Sequence, residues 1–250
     1  MSDTTVDVPP SYYVQGAVGF HRQSSYGNFP EPRHPALMPG PQDSAAGVVE
    51  PGRTAGEVPA PVPELLANLT ALLARRASHR VRGARLSKTL LADCLRMALA
   101  PSPATRRRPY ASAGNTCPIT PYLLVQDVPE MEPGLLLRWD PDTAALRPLG
   151  RRESAHADLL RTQQLNARTV QAVVLLVADL QEIGARYGER SYRYALVEAG
   201  QIAQNLSLVF TAAGVAHCPV GGFDDVAARE LLGARDPSEA ALCVHTVALP

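Results

Sequence analysis

The stretch that decides the fold is Tyr194–Asp225, YALVEAGQIAQNLSLVFTAAGVAHCPVGGFDD. Its first twenty residues place apolar side chains at the 3.6-residue period of an α-helix with a wide buried face. Gly214 is placed to end this helix, because a left-handed residue there needs no Cβ. The predicted buried face comprises Leu196, Ala199, Ile202, Ala203, Leu206, Val209, Phe210 and Ala213.

A glycine-rich turn follows the predicted helix. Gly221 and Gly222 come directly after the apolar run 215–220. Two adjacent glycines allow backbone amides to approach a flat or anionic ligand closely. Such pairs also form ordinary structural turns, so this pattern alone does not establish a ligand site.

The composition excludes several classes of protein. The 250 residues carry 24 basic and 24 acidic side chains, so no net charge attracts nucleic acid or an anionic membrane. No signal peptide and no run of about 18 apolar residues is present, which predicts a soluble cytoplasmic protein. The four cysteines have neither CxxC spacing nor histidines at ligand spacing, which argues against a metal site or a disulfide framework.

The chain divides into two regions by composition. Residues 1–62 are rich in proline and glycine and have no sustained periodicity, which predicts a largely extended or disordered arm. Residues 63–250 are predicted to form one folded domain. The arm could instead pack on this domain or on a partner through its aromatic residues Tyr12, Tyr13, Phe20 and Tyr26.

Periodicity predicts the order of elements in the folded domain. Leucines at helical spacing from Val62 lead into a basic run at 75–80, and Ser87 is placed to cap a second helix. The continuous apolar run 172–178 indicates a strand that is buried on both faces. The other predicted elements are strands and a hairpin at 119–149 with its turn at 140–143, helices at 153–168 and 179–187, and a closing strand at 241–249.

The central stretch resembles the nitroreductase superfamily, and more closely its SagB-type branch of FMN-dependent azoline dehydrogenases. The motifs that carry this likeness are Glu198-Ala199-Gly200, Gln204-Asn205-Leu206, Gly214 and Pro219–Asp224, and the hairpin at 133–149 is also typical of the branch. The resemblance implies an α/β (α+β) nitroreductase-like fold, with a mostly antiparallel sheet wrapped by helices. It also implies an intertwined homodimer with two FMN sites, whose core contains the helix 194–213.

Three segments match the cofactor contacts of the family. In the resemblance, the turn Pro219, Val220, Gly221 and Gly222 lies against the flavin. Arg76, Ser78 and Arg80 match a motif that grips the FMN phosphate, and their donors suit that group, although a charge run could equally be a solvated face. Ser112, Ala113, Gly114 and Asn115 match a loop that closes on flavin bound mainly by the other subunit, although such a loop can be purely structural.

The catalytic residues are predicted less directly. SagB-type enzymes are associated with a Lys-Tyr pair, whose nearest match here is Arg186-Tyr187. Arginine cannot act as a base at physiological pH, whereas Tyr187 could still donate or accept a proton. Tyr192 and Tyr194 are alternatives, and each tyrosine could also be a packing residue. Gln201 stands where the family has histidine.

Three functions follow from the resemblance. The first is an FMN-dependent oxidoreductase that converts azolines to thiazoles or oxazoles in a ribosomal or carrier-bound peptide, with a cyclase or an assembly line as its partner. The second is an FMN oxidoreductase of another substrate, which desaturates a peptide or reduces a small molecule with NAD(P)H. The third is a catalytically silent scaffold subunit of a biosynthetic complex, favoured by the missing lysine.

Overall fold

The structure is a computed structural model, and it describes residues 64–74, 85–141, 143–152, 158–160, 170–233 and 238–248. The predicted arm 1–62 and most of the predicted helix 153–168 lie outside these residues. Two 3₁₀ turns, Ala113–Asn115 and Gly188–Arg190, accompany the regular elements. Those elements are α1 Glu64–Ala74, α2 Lys88–Leu99, β1 Ile119–Val125, β2 Leu135–Asp140, β3 Ala145–Arg151, β4 Val170–Asp179, α3 Leu180–Tyr187, α4 Ser191–Ala212, β5 His217–Val220, α5 Asp225–Leu232 and β6 Glu239–Ala248.

The six strands form one antiparallel sheet in the order β3-β2-β1-β4-β6-β5. The predicted hairpin is confirmed, since Asp140 at the end of β2 pairs with Ala145 at the start of β3. Helices and an antiparallel sheet in one chain confirm the predicted α+β class. The loops that carry the candidate site begin at the ends of these strands.

Strand β4 separates two parts of the core. Alternate residues of a strand point to opposite faces of the sheet. Ala172, Val174 and Leu176 pack on the side that holds α2 and α4, while Val173 and Leu175 pack on the side of α5. The predicted burial of this strand on both faces is confirmed.

Helix α4 crosses one face of the sheet and buries a narrower stripe than predicted. The prediction for Leu196 is wrong: its side chain is 43% exposed, and the neighbouring Val197 is 56% exposed. Val209 and Ala213 are half-buried. In the first two turns of α4, the buried side is centred one residue earlier than predicted. It therefore includes the carboxylate of Glu198. Its members are Ser191, Ala195, Glu198, Ala199, Ile202, Ala203, Leu206 and Phe210.

The predicted end of α4 at Gly214 is confirmed. Gly214 has a φ of 68°, and its N–H donates to the Thr211 carbonyl at 3.0 Å. The Val215 N–H donates to the Phe210 carbonyl at 2.9 Å. These two bonds form a Schellman motif, which satisfies the last carbonyls of the helix and turns the chain into β5.

Helices α2 and α3 begin at side-chain caps. The Ser87 hydroxyl accepts from the Leu90 N–H, as predicted, and Asp179 accepts from the Gln181 and Glu182 amides. Helix α1 packs against α4 but leaves Leu69 and Leu73 exposed. None of the described helices combines the length and the apolar character needed to cross a bilayer.

Candidate functional site

The loop 108–117 joins α2 to β1 and lies on α4. The Gln201 side-chain oxygen accepts from the Ala111 N–H at 2.8 Å, and the Asn205 amide donates to the Pro109 carbonyl at 2.9 Å. Gln201 and Asn205 are four residues apart, so they share one side of the helix. Gln201 therefore holds the loop that carries four of the predicted cofactor residues.

Internal hydrogen bonds fix the conformation of this loop. The Cys117 N–H donates to the Ser112 hydroxyl oxygen at 2.8 Å, and the Thr116 hydroxyl donates to the Ala113 carbonyl at 2.9 Å. Gly114, Asn115 and Cys117 all have positive φ, between 50° and 57°. Residues other than glycine avoid this region, and such strain concentrates at ligand-binding segments.

Arg186 and Tyr187, at the end of α3, contact the tip of the loop. Arg186 Nη1 donates to the Gly114 carbonyl at 2.9 Å. A Cβ placed on Gly114 would lie 2.1 Å from the Tyr187 hydroxyl oxygen, so this approach requires glycine. The Tyr187 ring also packs edge-to-face on Tyr194, with centroids 5.1 Å apart. The structure thus brings the predicted catalytic pair to the predicted cofactor loop.

Glu198 is a buried group that the sequence prediction did not select. Its side chain is 1% exposed, and neither carboxylate oxygen has a hydrogen-bond partner among the described residues. Burial raises the pKa of Glu198. This rise is opposed by the nearby Ser112 hydroxyl, the Arg108 charge and the Ile119 amide. Its position on the buried side of α4, in register with Ala195 and Ile202, was the available signal.

The glycine-rich turn 219–222 is the second segment predicted to contact the cofactor. Strand β5 is an edge of the sheet, and Pro219 and Gly221 are exposed. A Cβ on Gly221 would meet no atom within 4 Å, so packing in this chain does not require glycine there. Beyond the turn, Phe223 is buried and Asp224 caps α5 by accepting from the Ala227 N–H at 2.9 Å. The turn is therefore anchored on one side and open on the other.

Two buried histidines lie in the strands next to this turn, His217 in β5 and His245 in β6. His217 Nδ1 lies 3.0 Å from His245 Nε2, and His217 Nε2 lies 3.0 Å from Thr211 Oγ1. Either tautomer leaves His245 Nδ1 buried without a partner among the described residues. Burial lowers the pKa of His217 to about 4; burial and the neighbouring ring lower that of His245 to about 3. Both rings are therefore neutral at pH 7.

The loop and the turn are attached to strands that are not adjacent in the sheet. The loop leads into β1 and the turn follows β5, with β4 and β6 between them. Three inter-strand spacings amount to about 14 Å. The third predicted segment, with Arg76, Ser78 and Arg80, lies outside the described residues.

Comparison with known proteins gives a family match over most of the chain. The model of the nitroreductase family matches residues 72–248. A protein of Methanocaldococcus jannaschii, named "Putative nitroreductase", is 33% identical over 122 residues. That match covers 48% of this chain and 61% of the archaeal protein, so it spans less than two thirds of that relative.

Solved structures show the same fold. A chain of the Escherichia coli microcin synthetase McbBCD complex, with truncated pro-MccB17 bound, superposes with a TM-score of 0.69 at 18% identity. The match covers 96% of this chain and 94% of that one. A structure from Anabaena variabilis, described as a "putative nitroreductase", has a TM-score of 0.63 at 26% identity. It aligns with 74% of this chain and 38% of its own.

Proposed function

This chain belongs to the nitroreductase family, and from that premise we propose that it is an FMN-dependent dehydrogenase that oxidises azoline rings to thiazoles or oxazoles in a peptide natural product. The family places the chain among the oxidoreductases. The contact of Arg186 and Tyr187 with Gly114 carries the finer proposal. It joins Tyr187, the first candidate for proton transfer, to the loop predicted to close on the cofactor.

The donor set of this chain fits FMN. The open side of Gly221 leaves room for a flat ring against the turn, and the turn backbone is exposed at a sheet edge. Ser112 and Asn115 add polar groups in the loop. Arg76, Ser78 and Arg80 supply the cationic and hydroxyl donors that a phosphate dianion requires. Bound there, FMN supplies the two-electron acceptor.

Tyr187 supplies the acid–base part of the reaction. Conversion of an azoline to an azole removes one hydride and one proton from two ring atoms, and the hydride goes to the cofactor. In the proposal Tyr187 reacts as the phenolate, and its oxygen receives the proton. Its position is fixed by Gly114 on one side and Tyr194 on the other. Arg186 holds the loop through the Gly114 carbonyl and does not act as a base.

The proposed site is built across two subunits. One protomer would hold the flavin with its turn Pro219–Gly222, and the partner would close its loop 112–115 over the ring. The resemblance of Ser112–Asn115 to a loop that closes on the other subunit's flavin supports this arrangement. A homodimer would then contain two such sites.

A modified peptide is the substrate class that we propose. The structurally similar Escherichia coli complex holds a truncated pro-MccB17, and we extend a precursor peptide, ribosomal or carrier-bound, to this chain. The enzyme that forms the azoline, a cyclase or an assembly-line module, would be its partner in the cytoplasm. The scaffold alternative has one observation in its favour, because Arg186 already serves a structural hydrogen bond.

An anaerobic single turnover tests the proposal without assuming a final electron acceptor. The purified protein is first assayed for FMN released on denaturation, which a scaffold subunit would lack. An azoline peptide is then added without NAD(P)H. We expect loss of two hydrogens per peptide by mass spectrometry, one peptide for each FMN, with bleaching of the yellow absorbance. An FMN-loaded protein that leaves the azoline intact but is bleached by NAD(P)H would favour the reductase alternative.

A further inference from the structure

Three polar side chains of α4 face successive residues of the loop 108–117. They are three and four residues apart, so they share one side of the helix. The loop runs antiparallel to α4, because its later residues meet the earlier turns of the helix. In the order of the loop, the pairs are Pro109 with Asn205, Ala111 with Gln201, and Ser112 with Glu198.

The third pair differs from the other two. Asn205 and Gln201 are joined to the loop by hydrogen bonds of 2.9 Å and 2.8 Å. Glu198 lies near the Ser112 hydroxyl, but both of its carboxylate oxygens are buried without a hydrogen-bond partner among the described residues. Buried polar groups are nearly always paired, so an unpaired carboxylate at this place in a regular series calls for an explanation.

Glu198 lies near donors at both ends of the strained part of the loop. The Ser112 hydroxyl is at the start of this part, and the Ile119 N–H is just beyond its end. Three residues of the segment 113–118 between them have positive φ. Ser112 Oγ accepts from the Cys117 N–H at 2.8 Å, and a hydroxyl that accepts one bond can still donate its own proton. Two bonds to Glu198 would therefore hold the strained segment at both ends.

The groups around Glu198 allow both of its protonation states. Burial raises the pKa of Glu198, and Glu182 on α3 adds to the rise, while the Arg108 charge opposes it. Tyr110 is also near, but burial raises the pKa of this phenol, which accepts from Arg108 Nη1 at 2.9 Å. A buried carboxylate without hydrogen bonds favours its neutral form, whereas one that accepts two or three favours its charged form. The charge of Glu198 therefore depends on whether the loop donates to it.

We propose that Glu198 is a latch for the cofactor loop. When the loop closes on the flavin, the Ser112 hydroxyl and the Ile119 N–H donate to the Glu198 carboxylate, which releases its proton to the solvent. Glu198 is a positioning residue, because its buried oxygens cannot reach the cofactor. This inference deepens the proposed function and rests on it, since that function assigns the loop to the flavin.

The pH dependence of FMN affinity tests the latch. Full-length protein freed of flavin is titrated with FMN, and the fluorescence of the flavin gives its dissociation constant. Glu198→Gln keeps the size of the side chain and removes the charge, so it should weaken binding about tenfold or more at alkaline pH. Between the lower pKa of Glu198 in the closed complex and the higher one in the free protein, the parent's affinity should gain up to about tenfold per pH unit over the variant's. The FMN phosphate titrates in both proteins, so the difference belongs to Glu198.

Chemical denaturation separates a latch from a packing residue. In the cofactor-free protein the Glu198 carboxylate has no hydrogen bond to lose, so Glu198→Gln should leave the unfolding midpoint near that of the parent. Loss of stability parallel to the loss of affinity would assign Glu198 to packing and overturn the latch. Glu230→Gln makes the same change at an exposed position on α5 and should alter neither quantity.

Ser112→Ala tests whether Glu198 acts through the loop. This change should itself weaken FMN binding, and Glu198→Gln should then cost less affinity than it does in the parent. Additive losses would overturn the latch, as would equal affinity and pH dependence in the parent and Glu198→Gln; FMN binding and azoline oxidation would still stand. A parent protein that binds no FMN at any pH would overturn the proposed function, and the latch with it.

Discussion

At the scale of single residues, Gly114 is under two constraints that exclude a side chain. Its φ of 55° is left-handed, and a Cβ would lie 2.1 Å from the Tyr187 hydroxyl oxygen. We expect Gly114→Ala to lower the free energy of unfolding by at least about 1–2 kcal/mol, the usual cost of left-handed backbone alone. Gly221→Ala is the matched control, because open space surrounds that position and the change should stay within about 0.5 kcal/mol. Chemical denaturation measures both.

A double-mutant cycle isolates the contact between Gly114 and Tyr187. Tyr187→Phe removes the atom that the new Cβ would meet, so Gly114→Ala should destabilise this background less than the parent. Coupled neighbours typically show interaction energies of about 0.5–3 kcal/mol. Strict additivity of the two changes would place the tyrosine away from the loop in solution.

The Tyr187 hydroxyl is also expected to carry the proton transfer. Tyr187→Phe should retain the fold and the bound flavin while losing most of the azoline oxidation rate, since general acid–base catalysis contributes about 10²–10⁴-fold. Arg186→Lys should remain active, because lysine can keep the hydrogen bond to the Gly114 carbonyl. Single-turnover rates measure both effects.

Tyr192→Phe is the control for this substitution, because that half-buried ring packs against the core near the start of α4. If Tyr192→Phe or Tyr194→Phe loses the rate and Tyr187→Phe does not, the catalytic tyrosine lies on another turn. Parent rates in all three variants would assign the proton to water or to the substrate and leave the tyrosines as packing residues.

At the scale of elements, the buried histidine pair between β5 and β6 links stability to pH. The folded pKa of His217, about 4, and that of His245, about 3, lie below the ordinary value of 6.5. Below pH 6.5 the unfolded chain binds protons that the folded chain does not, so stability falls as the pH falls towards 4. One histidine contributes a slope of about 1.4 kcal/mol per pH unit in this window.

His245→Gln removes one titrating ring and should reduce the slope of unfolding free energy between pH 6 and pH 4.5 by about that amount. Above pH 7 the two proteins should show parallel pH dependence. The raised pKa of Glu198 acts in the opposite direction and is common to both proteins, so the comparison cancels it. An unchanged slope in the variant would show that His245 is protonated or exposed in solution.

The segment after α1 is expected to grip the cofactor phosphate. Arg76→Ala should lower FMN affinity about tenfold or more, because a charge-assisted hydrogen bond contributes about 1.5–3 kcal/mol. Arg85→Ala removes the same charge nine positions later, where the guanidinium pairs with Asp127 at 3.1 Å, and should retain the flavin. Flavin release during dialysis is the measurement, and equal retention by both variants would contradict the phosphate assignment.

The elements with strong periodicity could be predicted from the sequence. Local sequence preferences were sufficient for three features: the period of α4, the continuous apolar run of β4 and the helix end at Gly214. Glu198 could not be assigned in this way, because burial of a carboxylate depends on which strand and loop cover the helix. The exposure of Leu196 has the same cause. The contact between Tyr187 and Gly114 joins residues 73 positions apart, and neither pattern nor propensity encodes it.

At the scale of the whole molecule, one chain leaves apolar surface uncovered on two adjacent helices. Leu69 and Leu73 on α1, and Leu196 and Val197 on α4, are 39–57% exposed. Helix α1 packs on α4, so these side chains belong to neighbouring elements. Contiguous exposed apolar surface is typical of protein interfaces, and the proposed flavin site also takes its two halves from two chains.

A homodimer that does not separate into folded, flavin-bound monomers is the expected state. Light scattering should give a mass of about twice the 26.7 kDa chain. Val197→Asp, at a 56%-exposed position on α4, should dissociate the dimer and release FMN, because a buried unpaired carboxylate is strongly unfavourable. Val226→Asp introduces the same charge at a 45%-exposed position on α5 and should preserve both dimer and flavin. A parent protein of about 27 kDa that keeps its flavin would overturn the two-subunit site, since Ser112 and Asn115 would then have to reach the cofactor within one chain.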